Sequence, residues 1–475
     1  MLYQCYINGK RVAGRDGEKN VINPGTEEVI GQVSLIDEEQ AKEALIAAQK
    51  GFAYWSGLTI REREEWINRL KLAVMDEEEE IVDLLMMETG KLYDSAKEDY
   101  QMLIDCFDFF TDEAKNMEDE IIRDAEGSHH NIITREPIGV VVAYLAWNFP
   151  LLNLGYKLGP VLASGCSCVI RPSESTPLAT LKIGEILEKI KFPKGVVNLV
   201  LGDVSKISHV LNSSDITQLI TLIGSTNTGK KVINDSTTSI KRFSLELGGN
   251  APAIVLKDYD EKKAARTLTH FKFANCGQVC VSPNRIFVHE DQYESFVHEA
   301  LEVAQTIKAG WGKEKGASIS PMISKRARDR MFDIVEDALQ KGARLVYGGK
   351  VPEEKDKGFY MMPTILADVT KDMKCYQEEI FGPIMPILKY NEQLDLIEAG
   401  NDTEYGLTSY VFSNDMKAIN QIAKGLKAGT VCVNKPKYAV ELPHGGIKES
   451  GIGKDCSKYS LEEYYYIKRI SIAMD

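Results

Sequence analysis

The chain has 475 residues, a formal net charge of -13, 44% hydrophobic and 27% charged residues, and nine cysteines. That length predicts two or three domains with sizeable cores, and the acidic balance excludes a basic groove for nucleic acid. Cysteines in odd number, scattered singly, exclude a disulfide framework and fit a reducing cytoplasm. No uncharged stretch approaches the roughly 20 apolar residues of a membrane span, and Met1–Cys5 lacks a basic segment leading into an apolar run, so no secretory leader is expected. Cys166 with Cys168, and Cys276 with Cys280, lack zinc spacing and a nearby histidine pattern, so no metal site is expected.

Residues 3–34 read as short strands around the turn pairs Asn8-Gly9 and Pro24-Gly25. From Asp37 to Lys115 apolar residues recur at three- and four-residue spacing, as in Ala41, Ala44, Leu45 and Ala48, and predict helices starting at Asp37. Residues 118–138 are more polar, hold Ile121-Ile122 and Ile132-Ile133, and predict a β-like excursion from the core. An apolar strand, Val140–Leu145, then runs into Trp147-Asn148-Phe149-Pro150, and a helix ends over Pro160–Gly165. Cys168–Arg171 (strand), Thr180–Lys191 (helix), Val196–Leu201 and Leu219–Ile223 (strands) follow. Alternation of this kind predicts a parallel, doubly wound sheet with ligands at the strand ends. A second α/β series opens after Asn250, with a helix over Glu261–Ala274 and helices onward to Gly310, so a domain boundary is placed at 248–250. Pro443–Gly453 is glycine-rich and predicts a loop, and Tyr464–Ala473 alternates as a strand.

Chemistry gathers between Leu245 and Arg285. Gly248-Gly249 follows Glu246, and Gly277 leads a second turn that presents Cys280. A thiol and a carboxylate on separate tight turns suit covalent catalysis, with the thiolate attacking and the carboxylate activating the next reactant. Taken singly, each would read as a core cysteine and a surface glutamate. Gly224–Gly229 follows a strand and opens a helix, where free N–H groups and the helix dipole favour phosphate. Together with Lys230 it comes close to a P-loop of a nucleoside triphosphatase, but Lys231 stands where a hydroxyl would hold magnesium. A plain turn is the other reading. Arg171-Pro172-Ser173-Glu174 ends an upstream strand, where a carboxylate accepts from ribose hydroxyls and favours NAD. Arg171 could pair with a 2′-phosphate, which keeps NADP open.

In chain order, Trp147–Pro150, Arg171–Glu174, Gly224–Gly229, Glu246–Gly249, Gly277–Cys280, Glu379–Pro383 and Pro443–Gly453 resemble the motifs of the non-acylating NAD(P)-dependent aldehyde dehydrogenase superfamily. The resemblance spans nearly the whole chain. It implies an α/β fold: a Rossmann-like coenzyme domain at 1–117 and 138–249, an α/β catalytic domain at 250–454, and a β oligomerisation arm at 118–137 and 455–475 serving a homodimer or homotetramer. It implies that Cys280 attacks a small-molecule aldehyde, that hydride leaves for NAD or NADP, and that Glu246 activates the water that hydrolyses the thioester. Asn148 and the Cys280 N–H would hold the oxyanion. Cofactor binding falls to Trp147, Arg171, Ser173, Glu174, Gly224, Ser225, Gly229, Leu247, Glu379 and Phe381, and Lys157 matches a position near the oxyanion asparagine.

Some positions depart from the family's pattern. Arg171 stands where lysine is usual, Ala146 where proline is common, Ile223 where threonine is common, and Cys276 where a small residue is usual. Members acting on succinate semialdehyde commonly carry arginine six residues after the proline of Trp-Asn-Phe-Pro. Tyr156 stands there. With Glu441 it suggests a cation site for an aminoaldehyde or betaine aldehyde, the ammonium held by an aromatic face and a carboxylate. Succinate-semialdehyde or lactaldehyde oxidation is the alternative. An acyl-CoA-forming relative would not be expected to keep Glu246, and a non-catalytic binding protein would be expected to have lost Cys280, Glu246 or Asn148.

Overall fold

The computed structural model describes residues 1–474; Asp475, the end of the segment assigned to the arm, lies outside the described residues. Most of the first half of the chain is built on an eight-stranded sheet whose order is Gly451–Ile452, Arg242–Glu246, Thr217–Ile223, Val140–Tyr144, Ser167–Arg171, Val197–Leu199, Cys5–Ile7, Lys10–Val12. The five strands from Arg242–Glu246 to Val197–Leu199 are mutually parallel, and the pairs at both margins are antiparallel. Val140–Tyr144 and Ser167–Arg171 are buried at every residue, the consequence of helices covering both faces of a parallel sheet.

The helical stretch resolves into Glu38–Trp55, Ile60–Met75, Glu78–Thr89 and Tyr93–Lys115. Asp37 caps the first, its side chain accepting from Gln40 N at 2.8 Å, and Ala41, Ala44, Leu45 and Ala48 form the buried stripe. Helix Pro150–Ser164 is apolar almost all round and buried except at Leu152. It lies against Tyr93–Lys115 so closely that a Cβ at Gly159 would sit 2.6 Å from the Phe110 ring. Glycine on this helix is a packing device.

A seven-stranded sheet carries the second series, in the order Arg344–Tyr347, Thr364–Ala367, Ile384–Tyr390, Pro283–His289, Ala251–Val255, Thr408–Phe412, Thr430–Val433, parallel apart from the first strand. The buried apolar side chains divide between Leu247 and Ala251 into two main clusters, with Tyr464 returning to the first. A third, smaller cluster gathers Cys106, Phe110, Tyr156, Cys456 and Tyr465. The excursion at 118–138 forms strands Glu120–Arg123 and His129–Pro137. The tail strand Tyr465–Ala473 joins them within the same chain, pairing along His129–Pro137, with no strand on its other edge among the described residues.

One expectation is corrected. Gly451–Ile452, placed in a loop from its glycine content, is a strand paired with Leu245 and Glu246. Gly451 has φ of 137°, and a Cβ there would sit 1.9 Å from Leu245 O, so the glycine marks a close backbone approach. No helix among the described residues is long and apolar enough to cross a membrane, and all nine cysteines are free.

Candidate active site

Four parallel strands of the first sheet end along one edge, and their last residues, Tyr144, Arg171, Ile223 and Glu246, all line one cavity of about 1500 Å³. Glu379, Phe381 and Thr430–Val433, from the second sheet and its loops, line it too. Ligands are expected at such a strand-end crevice. A usual small-molecule site spans about 300–1,000 Å³, so this one has room for two ligands side by side.

Cys280 enters from a turn of unusual backbone. Asn275, Cys276 and Gly277 are successively left-handed, with φ of 47°, 57° and 69°, and a Cβ at Gly277 would meet Gly382 O at 2.1 Å. A Cβ at Gly249 would lie 2.6 Å from Cys280 O, so the glycine after Glu246 is what lets the two turns touch. The sulfur is thereby brought beside the Glu246 carboxylate, within 4.8 Å of one of its oxygens. Burial, and then the Glu246 charge beside it, push the Cys280 thiol well above its ordinary value.

Asn148 faces the same point. Its Nδ2 donates to Gln278 O at 3.1 Å, which uses one of two N–H groups, while its Oδ1 is buried without a partner. The Cys280 N–H has no backbone acceptor among the described residues. Two donors therefore remain for an oxygen on a carbon bonded to Cys280. The turn that carries Asn148 is fixed by Asp99, whose Oδ1 accepts from Leu152 N at 2.7 Å and whose Oδ2 pairs with Lys91 Nζ at 2.6 Å. Lys91 Nζ in turn lies 3.7 Å from the centre of the Phe149 ring. Behind Asn148, Lys157 Nζ lies 2.5 Å from Asp455 Oδ1.

Toward the other end, Ser225 caps helix Thr226–Asp235, accepting from Thr228 N at 3.3 Å, and Gly224 and Ser225 line the cavity at the helix N-terminus. Trp147 and Phe381 meet edge to face with ring centroids 5.4 Å apart. Glu379 Oε1 accepts from Gly249 N at 3.0 Å, and burial pushes its carboxyl up to about 7. Arg171 Nη2 donates to Glu174 Oε1 at 2.8 Å, and the buried Arg171 Nε has no partner. An open helix N-terminus and an unpartnered guanidinium nitrogen fit the phosphates and ribose of a dinucleotide.

Residues 12–470 match the aldehyde dehydrogenase family. The chain belongs to that family. This aldehyde dehydrogenase is 35% identical over 477 residues to 3,6-anhydro-alpha-L-galactose dehydrogenase of Vibrio sp. (strain EJY3), covering 100% of this chain and 99% of the relative. It is 33% identical to the NADP(+) succinate-semialdehyde dehydrogenase GabD of Escherichia coli K12, covering 99% and 98%. Among solved structures, betaine aldehyde dehydrogenase from Staphylococcus aureus in complex with NAD+ superposes with a TM-score of 0.95 at 32% identity, covering 99% of this chain and 94% of that one.

Of the residues singled out in the sequence, Cys280, Glu246, Asn148, Trp147, Arg171, Ser173, Gly224, Ser225, Leu247, Glu379, Phe381 and Tyr156 line this cavity. Three do not. Glu174 is drawn into ion pairs with Arg171 and Lys19. Gly229 lies under Leu247, where a Cβ would meet that side chain at 2.8 Å. Glu441 is exposed and outside the lining. Sequence reasoning gave no site role to Tyr438, Lys435, Lys437, His444, Asp455 and Glu98, which do line it. The signal available was position: Lys435–Tyr438 and His444 immediately precede or open the glycine-rich run.

Proposed function

We propose that this aldehyde dehydrogenase oxidises an aldehyde carrying an acidic tail to the corresponding acid, with NAD or NADP as acceptor. The observation that carries the tail is the pair Lys435 and Lys437, exposed cations that line the cavity and enter no ion pair among the described residues. Tyr156 removes the arginine expected for such a substrate, and these lysines supply positive charge in its place. The likeness to a succinate-semialdehyde dehydrogenase supports this reading. Glu441, half of the cation site expected from sequence, stands outside the cavity.

The chemistry follows from the contacts. Glu246 takes the Cys280 proton as sulfur attacks the aldehyde carbon, forming a C–S bond and an oxyanion. The free Asn148 N–H and the Cys280 N–H stabilise that charge, each worth about 3–4 kcal/mol when removed. A nicotinamide dinucleotide, when bound, would supply the hydride acceptor for oxidation of the Cys280 adduct. Arg171, Ser173, Gly224, Ser225, Leu247 and Glu379 would hold the dinucleotide, with Trp147 and Phe381 as apolar walls. Glu246 then takes a proton from water, which attacks the thioester and releases the acid. Glu174 is already neutralised by two cations, which favours tolerance of a 2′-phosphate.

In this reading residues 1–117 and 138–249 bind coenzyme, 250–454 complete the catalytic wall, and the three-stranded sheet is an oligomerisation arm. Ile121 and Ile467 are 70% and 72% exposed on that sheet, and its free edge invites a second copy.

The deciding experiment is initial-rate NADH and NADPH formation with succinate semialdehyde, glutarate semialdehyde, lactaldehyde, betaine aldehyde and 4-aminobutyraldehyde. The acidic semialdehydes are expected to win, and K435E/K437E to raise their KM at least tenfold while sparing lactaldehyde. Glu98, a lining carboxylate on helix Tyr93–Lys115, keeps an aminoaldehyde reading alive. Preference for 4-aminobutyraldehyde, lost in Glu98→Gln, would replace the acidic-tail reading.

A further inference from the structure

We infer that His444 is a positioning residue for Glu246: its Nε2 receives the proton that Glu246 removes from the hydrolytic water and, once protonated, holds the carboxylate beside Cys280. The inference rests on the proposed thioester chemistry and deepens it.

His444 Nε2 lies 3.4 Å from Glu246 Oε1, a carboxylate oxygen that is buried and has no hydrogen-bond partner. One ligand-type atom each of Glu246, Cys280 and His444 falls within 4.8 Å of the others. An imidazole thus lies against the carboxylate proposed as the base, beside the Cys280 sulfur. A buried carboxylate oxygen without a donor is costly, and an imidazolium N–H is the donor that removes this cost once a proton arrives.

The ring is held to this task. His444 N donates to Asp455 O at 2.8 Å and Asp455 N returns a bond to His444 O at 2.6 Å, which sets the backbone. The Tyr438 ring packs on the imidazole edge to face, with centroids 5.8 Å apart at 87°. Tyr438 is itself tied by a 2.7 Å hydroxyl contact to Tyr410, whose OH donates to Val281 O at 2.6 Å, one residue after the nucleophile. The imidazole is therefore connected to the Cys280 turn by packing as well as by charge. Titratable groups around it are Glu246, Cys280, Tyr438, Cys456, Lys454 and Asp455, the last neutralised by Lys157. Glu246 is the carboxylate in direct contact that lacks a cation of its own.

The step balances as follows. Water adds to the thioester carbon, forming a C–O bond, and one water proton passes to Glu246 and on to His444 Nε2. The C–S bond then breaks, the sulfur leaves as a thiolate, and the His444 proton returns to it through Glu246. The acid product carries the other water proton to solvent.

Rapid mixing separates acylation from hydrolysis. His444→Phe keeps the edge contact with Tyr438 and removes the nitrogen. The expected result is a first-turnover burst near one reduced cofactor per site and a steady rate down about tenfold or more. His444→Gln keeps an N–H without a titrating group. It is expected to recover part of the steady rate but, like His444→Phe, to lose the His-dependent limb of the kcat–pH profile. A wild-type steady rate and an unchanged pH profile in both variants would overturn the inference. So would a loss of the burst in parallel with the steady rate in both variants, which would assign His444 to binding or folding. Absence of a burst in the wild-type enzyme with every aldehyde would instead overturn the proposed function.

Discussion

Lys157 Nζ and Asp455 Oδ1 form an ion pair at 2.5 Å, with the two residues only 0% and 2% exposed. It ties the helix behind Asn148 to the segment whose backbone holds His444. Burial pushes the Asp455 carboxyl above its ordinary value, and Lys157 pulls it back. Removing one member leaves a buried charge with no partner, a loss of about 3–5 kcal/mol. Lys157→Met is expected to lose that much in urea unfolding. Asp455→Asn, which keeps an acceptor, is expected to lose less, and a double variant less than the sum. Additive losses in the double-mutant cycle would show that the two residues do not act as a pair.

The Glu246–Cys280 contact predicts opposite effects on reactivity and on turnover. A carboxylate beside a thiol disfavours the thiolate, so Glu246→Gln is expected to lower the Cys280 pKa and speed its alkylation by iodoacetamide at neutral pH. The same change removes the base for hydrolysis. Steady turnover is expected to fall about 10²–10⁴-fold, with a remaining burst of reduced cofactor, while Cys280→Ser loses both. An alkylation profile unmoved by Glu246→Gln would show that the charge is not felt at the sulfur.

Glu88 makes stability depend on pH. It is buried, its two oxygens accept from Leu178 N at 2.6 Å and Ala179 N at 3.1 Å, and burial pushes its pKa from 4.5 up to about 8. The folded state binds this proton more tightly than the unfolded chain. Its contribution is therefore complete below about pH 4.5 and is lost as pH rises through 8. Glu88→Gln is expected to flatten the fall in Tm between these limits, at the cost of one acceptor at the start of helix Leu178–Lys189. A Tm slope identical to wild type would remove Glu88 as its source.

The sequence made the strand-end residues legible because their geometry is local. Arg171, Gly224, Glu246 and Cys280 each sit at a turn whose glycine or strand ending can be seen within a few residues. Helix starts such as Asp37 were legible for the same reason. What was hidden is long-range: Glu174 looks like a ribose acceptor until Lys19, 155 positions away, is found against it. Glu441 and His444 are three residues apart on one loop, yet one is exposed and the other faces the nucleophile. No periodicity distinguishes them, since loop side chains take direction from what packs against the loop, here Tyr438 and Asp455. The strand at Gly451–Ile452 was missed because two residues carry no alternation to read.

That two-residue strand has a bearing on biosynthesis. It finishes an eight-stranded sheet whose other members all lie before residue 247. While the chain is being made, Arg242–Glu246 remains an uncovered margin until some two hundred further residues have emerged from the ribosome, and Glu246 sits at the end of that margin. The Glu246 carboxylate is thus among the last parts of its own sheet to be enclosed. An amino-terminal half expressed alone would carry a raw sheet edge for neighbours to add to, and supplying the carboxy-terminal half in trans is what should quench it.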